Sequence, residues 1–135
     1  MKNGFSINAG RKLAMLTMAI CVLPIVFVPG LGQRFPDNPW PATLLIALAA
    51  AAHQGWSANL FSTTGDMFPN TAVSTVVGFG GAMGAAGGAI FTAIVKHTFS
   101  THPLFIFALS SMVYLAALGI MHLLVPKLGM RAVEG

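Results

Sequence analysis

Four long stretches of this chain carry almost no charge, and that constrains its fold more than any other feature. A hydrocarbon core about 30 Å thick asks for roughly 20 largely apolar residues per helix, at about 1.5 Å of rise each. The stretches 13–31, 41–63, 71–95 and 103–126 meet that requirement, the second with a polar interruption. Only 7% of the 135 residues are charged and 56% are hydrophobic, whereas an ordinary soluble domain carries about 25% charged residues. A soluble fold could not cover its surface with so little charge. The chain therefore reads as an all-α membrane protein of four transmembrane helices, joined by turn-forming connectors at 32–39, 65–70 and 96–102. Residues 1–12 read as a cytoplasmic loop and 127–135 as a cytoplasmic tail.

Charge then sets the expected orientation. Seven Lys and Arg against three acids give a net charge of +4, which on a soluble protein would point to nucleic acid. Here the basic residues sit at the ends: Lys2, Arg11 and Lys12 before the first span, Lys127 and Arg131 after the fourth. The outer connectors would hold only Arg34 and Lys96. This bias places both termini in the cytoplasm, with no nucleic-acid partner. The connector at 65–70 runs against the trend, since it should lie inside yet contains Asp66 and no base. The first apolar run lacks a small-x-small cleavage site, so it reads as a retained helix and not a secretory signal.

Neither a disulfide framework nor a cysteine metal cluster can be built on Cys21 alone. No metal or cofactor is expected, and no catalytic residue: His53 has no second ligand at metal spacing, and Ser57 lacks a base-and-acid set. Pro24 and Pro29 predict a kink in the second half of the first span. His122, near the end of the fourth span, reads as an interfacial, solvated histidine.

The third span carries six glycines between Gly78 and Gly88. Gly80, Gly84 and Gly88 recur every four residues and would let another helix approach closely, so Gly84→Leu is expected to damage packing. The same run is no phosphate-binding loop, because no strand precedes it and no Lys-Ser/Thr ending follows.

The second span is the most informative. After an apolar run it reads His53-Gln54-Gly55-Trp56-Ser57-Ala58-Asn59-Leu60-Phe61, beginning about 18 Å along a helix that starts near Pro41. Helical spacing puts His53, Trp56 and Ser57 on one face with Gln54 on its flank, and Asn59 about 120° from His53. An imidazole, an amide, a hydroxyl and an indole together suit a hydroxylated, sugar-like ligand. The same groups would also serve as hydrogen bonds between helices. No Asp or Glu lies inside a span: Asp37 and Asp66 fall in connectors and Glu134 in the tail. A carboxylate that exchanges the proton of a symporter would have to lie elsewhere.

The segment from His53 through Asn59, Asp66 and Pro69, followed by Ala72 to Gly81, resembles the major facilitator superfamily, and within it the hexuronate transporters of the anion:cation symporter family. The resemblance covers nearly the whole chain and implies that the four spans correspond to helices nine to twelve of a twelve-helix fold in two halves. It implies uptake of glucuronate, galacturonate or a related sugar acid across the bacterial inner membrane, driven by proton (or sodium) symport. His53, Gln54, Trp56, Ser57 and Asn59 would then contribute to the substrate cavity from the tenth helix, with the glycine-rich eleventh packed beside it. Asn70 and Thr71 depart from the basic residues common after Phe-Pro in that family. The groups expected to hold the substrate carboxylate belong to an N-terminal half, so the chain alone is expected not to transport. A truncated product, a start codon inside a longer frame, or a half-transporter with a separate partner would each fit. Two other readings stay open: a small four-helix membrane subunit, and a small transporter that works as a dimer.

Overall fold

A computed structural model describes residues 7–126, and every regular element in it is helical. Helix α1 spans Ile7–Val22 and passes through a 3-10 segment, Leu23–Phe27, into α2, Val28–Arg34. Then follow α3, Trp40–Met67, α4, Asn70–Thr98, and α5, Pro103–Leu124. Lys2, Lys127, Arg131 and Glu134 lie outside the described residues.

The prolines explain most boundaries. Pro24 sits at the start of the 3-10 segment and Pro29 at the start of α2. Each lacks the N–H that an uninterrupted α-helix would use, so the first rod changes its winding where a kink is expected. Phe68 is extended because the following proline disfavours the helical region for it. Two residues, Phe68 and Pro69, therefore separate α3 from α4. The connector expected at 65–70 shrinks to these two, and Asp66 belongs to the last turn of α3. Likewise, residues 7–12 are not loop: α1 begins at Ile7, placing Arg11 and Lys12 on a helix.

Three helices are long and apolar enough to cross a membrane: Asn8–Arg34, Asn70–Thr98 and Pro103–Leu124. The 28-residue α3 is not among them. Its length suffices, at about 42 Å for about 1.5 Å per residue, but the polar residues from His53 to Asp66 lower its hydropathy. It is the helix most dependent on its neighbours.

Its neighbour along most of its length is the first rod, α1 with the 3-10 segment and α2, while α5 reaches α3 through side chains, Tyr114 above all. Met15 and Ala19 of α1 are fully buried against Trp56 of α3, and Tyr114, Leu115, Leu118 and Met121 of α5 close over them. One turn further, Val22 packs with Ala49 and Ala52, beside Ile25 and Cys21. Ala19, Ala49, Ala52 and Gly55 are the small residues that let α1 and α3 approach, as helices in lipid must to gain dispersion contact. Gly55 lies closest: a Cβ there would fall 2.8 Å from Met18 Sδ and 3.2 Å from its Cε.

Helix α4 stands apart. It has no buried residue, and its link to α5 includes a tilted contact between the Phe99 and Phe107 rings at 6.2 Å. A Cβ at Gly80, Gly84 or Gly88 would meet nothing within 4 Å. The close approach expected of that face is not made among the described residues; Ala49, Ala52 and Gly55 on α3 fill that role instead.

The two glycine sites should respond differently to a larger side chain. Gly55→Ala should change unfolding stability in detergent by less than about 1 kcal/mol, since the flexible end of Met18 can move and helix propensity improves. Gly55→Leu should cost about 1–3 kcal/mol through overpacking, whereas Gly84→Leu should leave the stability of this chain within about 0.5 kcal/mol. Equal effects at positions 55 and 84 would contradict the packing described.

Candidate functional site: the polar half of the third helix

The period of α3 sorts its polar residues onto two sides. Ala49, Ala52, Trp56 and Thr63 are buried, a 3, 4 and 7 spacing that marks the side held by the bundle. Gln54 and His53 are exposed, and Ser57 is half-buried between the two sides. The five residues read as one candidate set therefore divide: His53, Gln54 and Ser57 border the uncovered side, while Trp56 and Asn59 are used inside the bundle.

Trp56 is 8% exposed and meets the Tyr114 ring edge-on, with centroids 5.3 Å apart and planes at 78°. This geometry sets the positive edge of one ring against the negative face of the other. Tyr114 also reaches His53: its hydroxyl lies 2.6 Å from Nδ1, and the two rings are again edge-on at 6.1 Å. With the hydroxyl donating to Nδ1, the neutral imidazole carries its proton on Nε2 and can donate a second hydrogen bond on the exposed side. Tyr114 thus fixes the orientation of His53. From sequence it was one polar residue on another helix, with nothing to pair it to position 53.

Asn59 is occupied twice by Arg11. Its Nδ2 donates to the Arg11 carbonyl oxygen at 2.9 Å, and its Oδ1 accepts from Arg11 Nη1 at 3.2 Å. Arg11 Nε donates to Asp66 Oδ2 at 2.8 Å, with Nη2 2.7 Å from the same oxygen. One guanidinium thus ties the start of α1 to two positions near the end of α3. Asp66 was expected to sit without a base in its connector; its counter-ion comes from 55 residues earlier in the chain. Asn59 is a structural clamp in this arrangement and is turned away from the open face.

The hydroxyls of this half are satisfied locally. Ser62, Thr63 and Thr64 each donate to the carbonyl four residues back, at 2.8, 2.8 and 3.3 Å. Such bonds lower the cost of carrying hydroxyls through an apolar medium. Among the described residues no buried side-chain nitrogen or oxygen lacks a partner, and no group of His, Cys, Asp or Glu could hold a metal ion.

Compared with protein families, with curated proteins and with solved structures, the chain matches none.

Truncation should separate the two sides of α3. Trp56→Ala should destabilise the isolated chain by about 2 kcal/mol or more, the low end for a buried aromatic because lipid supplies little transfer energy. Gln54→Ala should stay within about 0.5 kcal/mol. For the clamp, a double-mutant cycle with Arg11→Gln and Asp66→Asn should give a coupling of about 1 kcal/mol, because both side chains are partly exposed. That coupling should shrink in about 1 M salt, where the screening length is about 3 Å. Zero coupling at low salt would remove the ion pair from the account.

Proposed function

We propose that this chain is the C-terminal part of a secondary active transporter for hexuronates or related sugar acids, coupled to protons or sodium. It would span a bacterial inner membrane four times with both termini cytoplasmic, α3 crossing in addition to the three helices apolar enough to do so. The observation that carries the reading is the division of α3: the bundle grips Ala49, Ala52 and Trp56 while His53 and Gln54 remain exposed.

Polar groups are retained at such depth when they face a wet cavity or a binding pathway. An amide and an imidazole N–H, with a hydroxyl one turn on, can satisfy the hydroxyl groups of a sugar ring. They cannot balance a carboxylate. Among the described residues Arg11 is the cation paired on α3, and its partner there is Asp66. The charge that holds the acid group is therefore assigned to the N-terminal half of the transporter. The smooth face at Gly80, Gly84 and Gly88 would receive a helix from outside these four rods. Trp56 and Asn59 act on transport indirectly, by holding α3 in place.

The test begins with the DNA upstream of the Met1 codon. An in-frame extension encoding about eight further apolar segments is expected. In that longer protein, Gln54→Ala and His53→Gln should each lower labelled galacturonate uptake about tenfold, the worth of about one hydrogen bond, with membrane yield unchanged. Wild-type uptake in both variants would sink the reading. A stop codon closing the frame just before Met1 would favour a small four-helix subunit or a dimeric transporter instead.

A further inference from the structure

Beyond the transport reading, and resting only on the chain's residence in a membrane, a second feature lies between α1 and α5. A groove of about 580 Å³ runs between these helices, within the roughly 300–1,000 Å³ of ligand-sized clefts. Its walls are Leu13, Leu16, Leu115, Leu118 and Gly119. One end is polar, formed by Lys12 and His122. We infer that this groove holds an anionic phospholipid, with an acyl chain along the leucines and the phosphate at Lys12 and His122.

Among the described residues no carboxylate faces the charge at the polar end. Lys12 Nζ donates to the carbonyl oxygens of Val125 and Pro126, at 3.1 and 2.7 Å, and lies 3.0 Å from His122 Nδ1. None of these acceptors carries a negative charge. The ion pair formed among the described residues is that of Arg11 with Asp66, and the Lys12 side chain stands apart from it at the end of a hydrophobic slot. Because Nδ1 faces an ammonium it accepts, and the neutral imidazole then carries its proton on Nε2. A phosphate at this end would meet the charge of an ammonium whose three N–H groups go to Val125, Pro126 and His122, and one N–H donor from His122.

The occupant must therefore be amphiphilic, anionic at one end and apolar along its length. A second copy of this chain does not fit: of the described acids, Asp66 is paired and Asp37 lies in the loop between α2 and α3. A zwitterionic lipid would supply the chain but brings its own cation to the basic end. Basic pockets between membrane helices favour anionic headgroups for this reason.

The wall at Gly119 allows a clean test. A Cβ there would meet nothing within 4 Å, so Gly119→Leu adds bulk to the groove without a clash. The full 135-residue chain, purified in detergent, would be mixed with equal amounts of phosphatidylglycerol and phosphatidylcholine, and retained lipid counted by native mass spectrometry. Wild type should retain phosphatidylglycerol in at least about fivefold preference. Gly119→Leu should lose retention of phosphatidylglycerol while its lipid-free unfolding midpoint stays that of wild type. Lys12→Gln with His122→Gln should abolish the preference; if that variant does not fold, Gly119→Leu decides alone. Equal retention of the two lipids by wild type would overturn the inference, as would undiminished retention of phosphatidylglycerol by Gly119→Leu. Displacement of the lipid by millimolar inorganic phosphate would also overturn it, because the site would then bind an anion without using its groove.

Discussion

A helix that carries His53, Gln54, Ser57 and Asn59 can lie in an apolar medium only if other groups answer its polar atoms. The rest of the structure depends on how α3 meets that demand. Part of the answer is internal, in hydroxyls bonded back to the helix's own carbonyls. Part comes from α1, where Arg11 binds Asn59 and Asp66 together. The remainder comes from α5, whose Tyr114 contacts both His53 and Trp56. Helix α1 thus runs along α3 and α5 reaches it through Tyr114, because α3 is the element with the most to satisfy, while the more uniformly apolar α4 needs less.

This arrangement changes what the polar cluster can mean. Taken as a string of residue types, positions 53 to 59 offer five groups of comparable standing. In three dimensions they have separate duties. Trp56 supplies packing area and an aromatic contact, Asn59 supplies half of an ion-pair clamp, and His53 is aimed by a tyrosine. Gln54 and Ser57 extend the exposed border that begins with His53. A ligand that met α3 from the uncovered side would touch these residues and would sense Trp56 and Asn59 only through the position of the helix.

The helical class and most element positions were legible in the sequence, because chain length per bilayer crossing and proline chemistry act locally. The interruption of the first rod at Pro24 and the break at Phe68-Pro69 follow from the missing N–H and from the restriction on the residue before proline. The extension of α1 back to Ile7 was not legible. Arg11 and Lys12 looked like loop charges because their partners, Asp66 and the carbonyls after α5, are far away in sequence. The glycine repeat of α4 was legible as a smooth face, but a repeat does not name the helix that meets it. Within this chain the intimate contact is made by Ala49, Ala52 and Gly55, whose spacing was hidden inside an alanine-rich run.

The central claim is that the side of α3 bearing His53, Gln54 and Ser57 faces water or ligand within the membrane, while the side bearing Ala49 and Ala52 is sealed by Met18, Val22 and Ile25 of the first rod, with Tyr114 of α5 beside them. The most direct measurement is thiol accessibility along α3 in membrane vesicles, with single cysteines introduced into a Cys21→Ser background and probed with a water-soluble, membrane-impermeant reagent. The account predicts labelling at positions 54 and 57 and protection at 49 and 52. Protection at all four positions, or labelling that ignores the helical period, would contradict it.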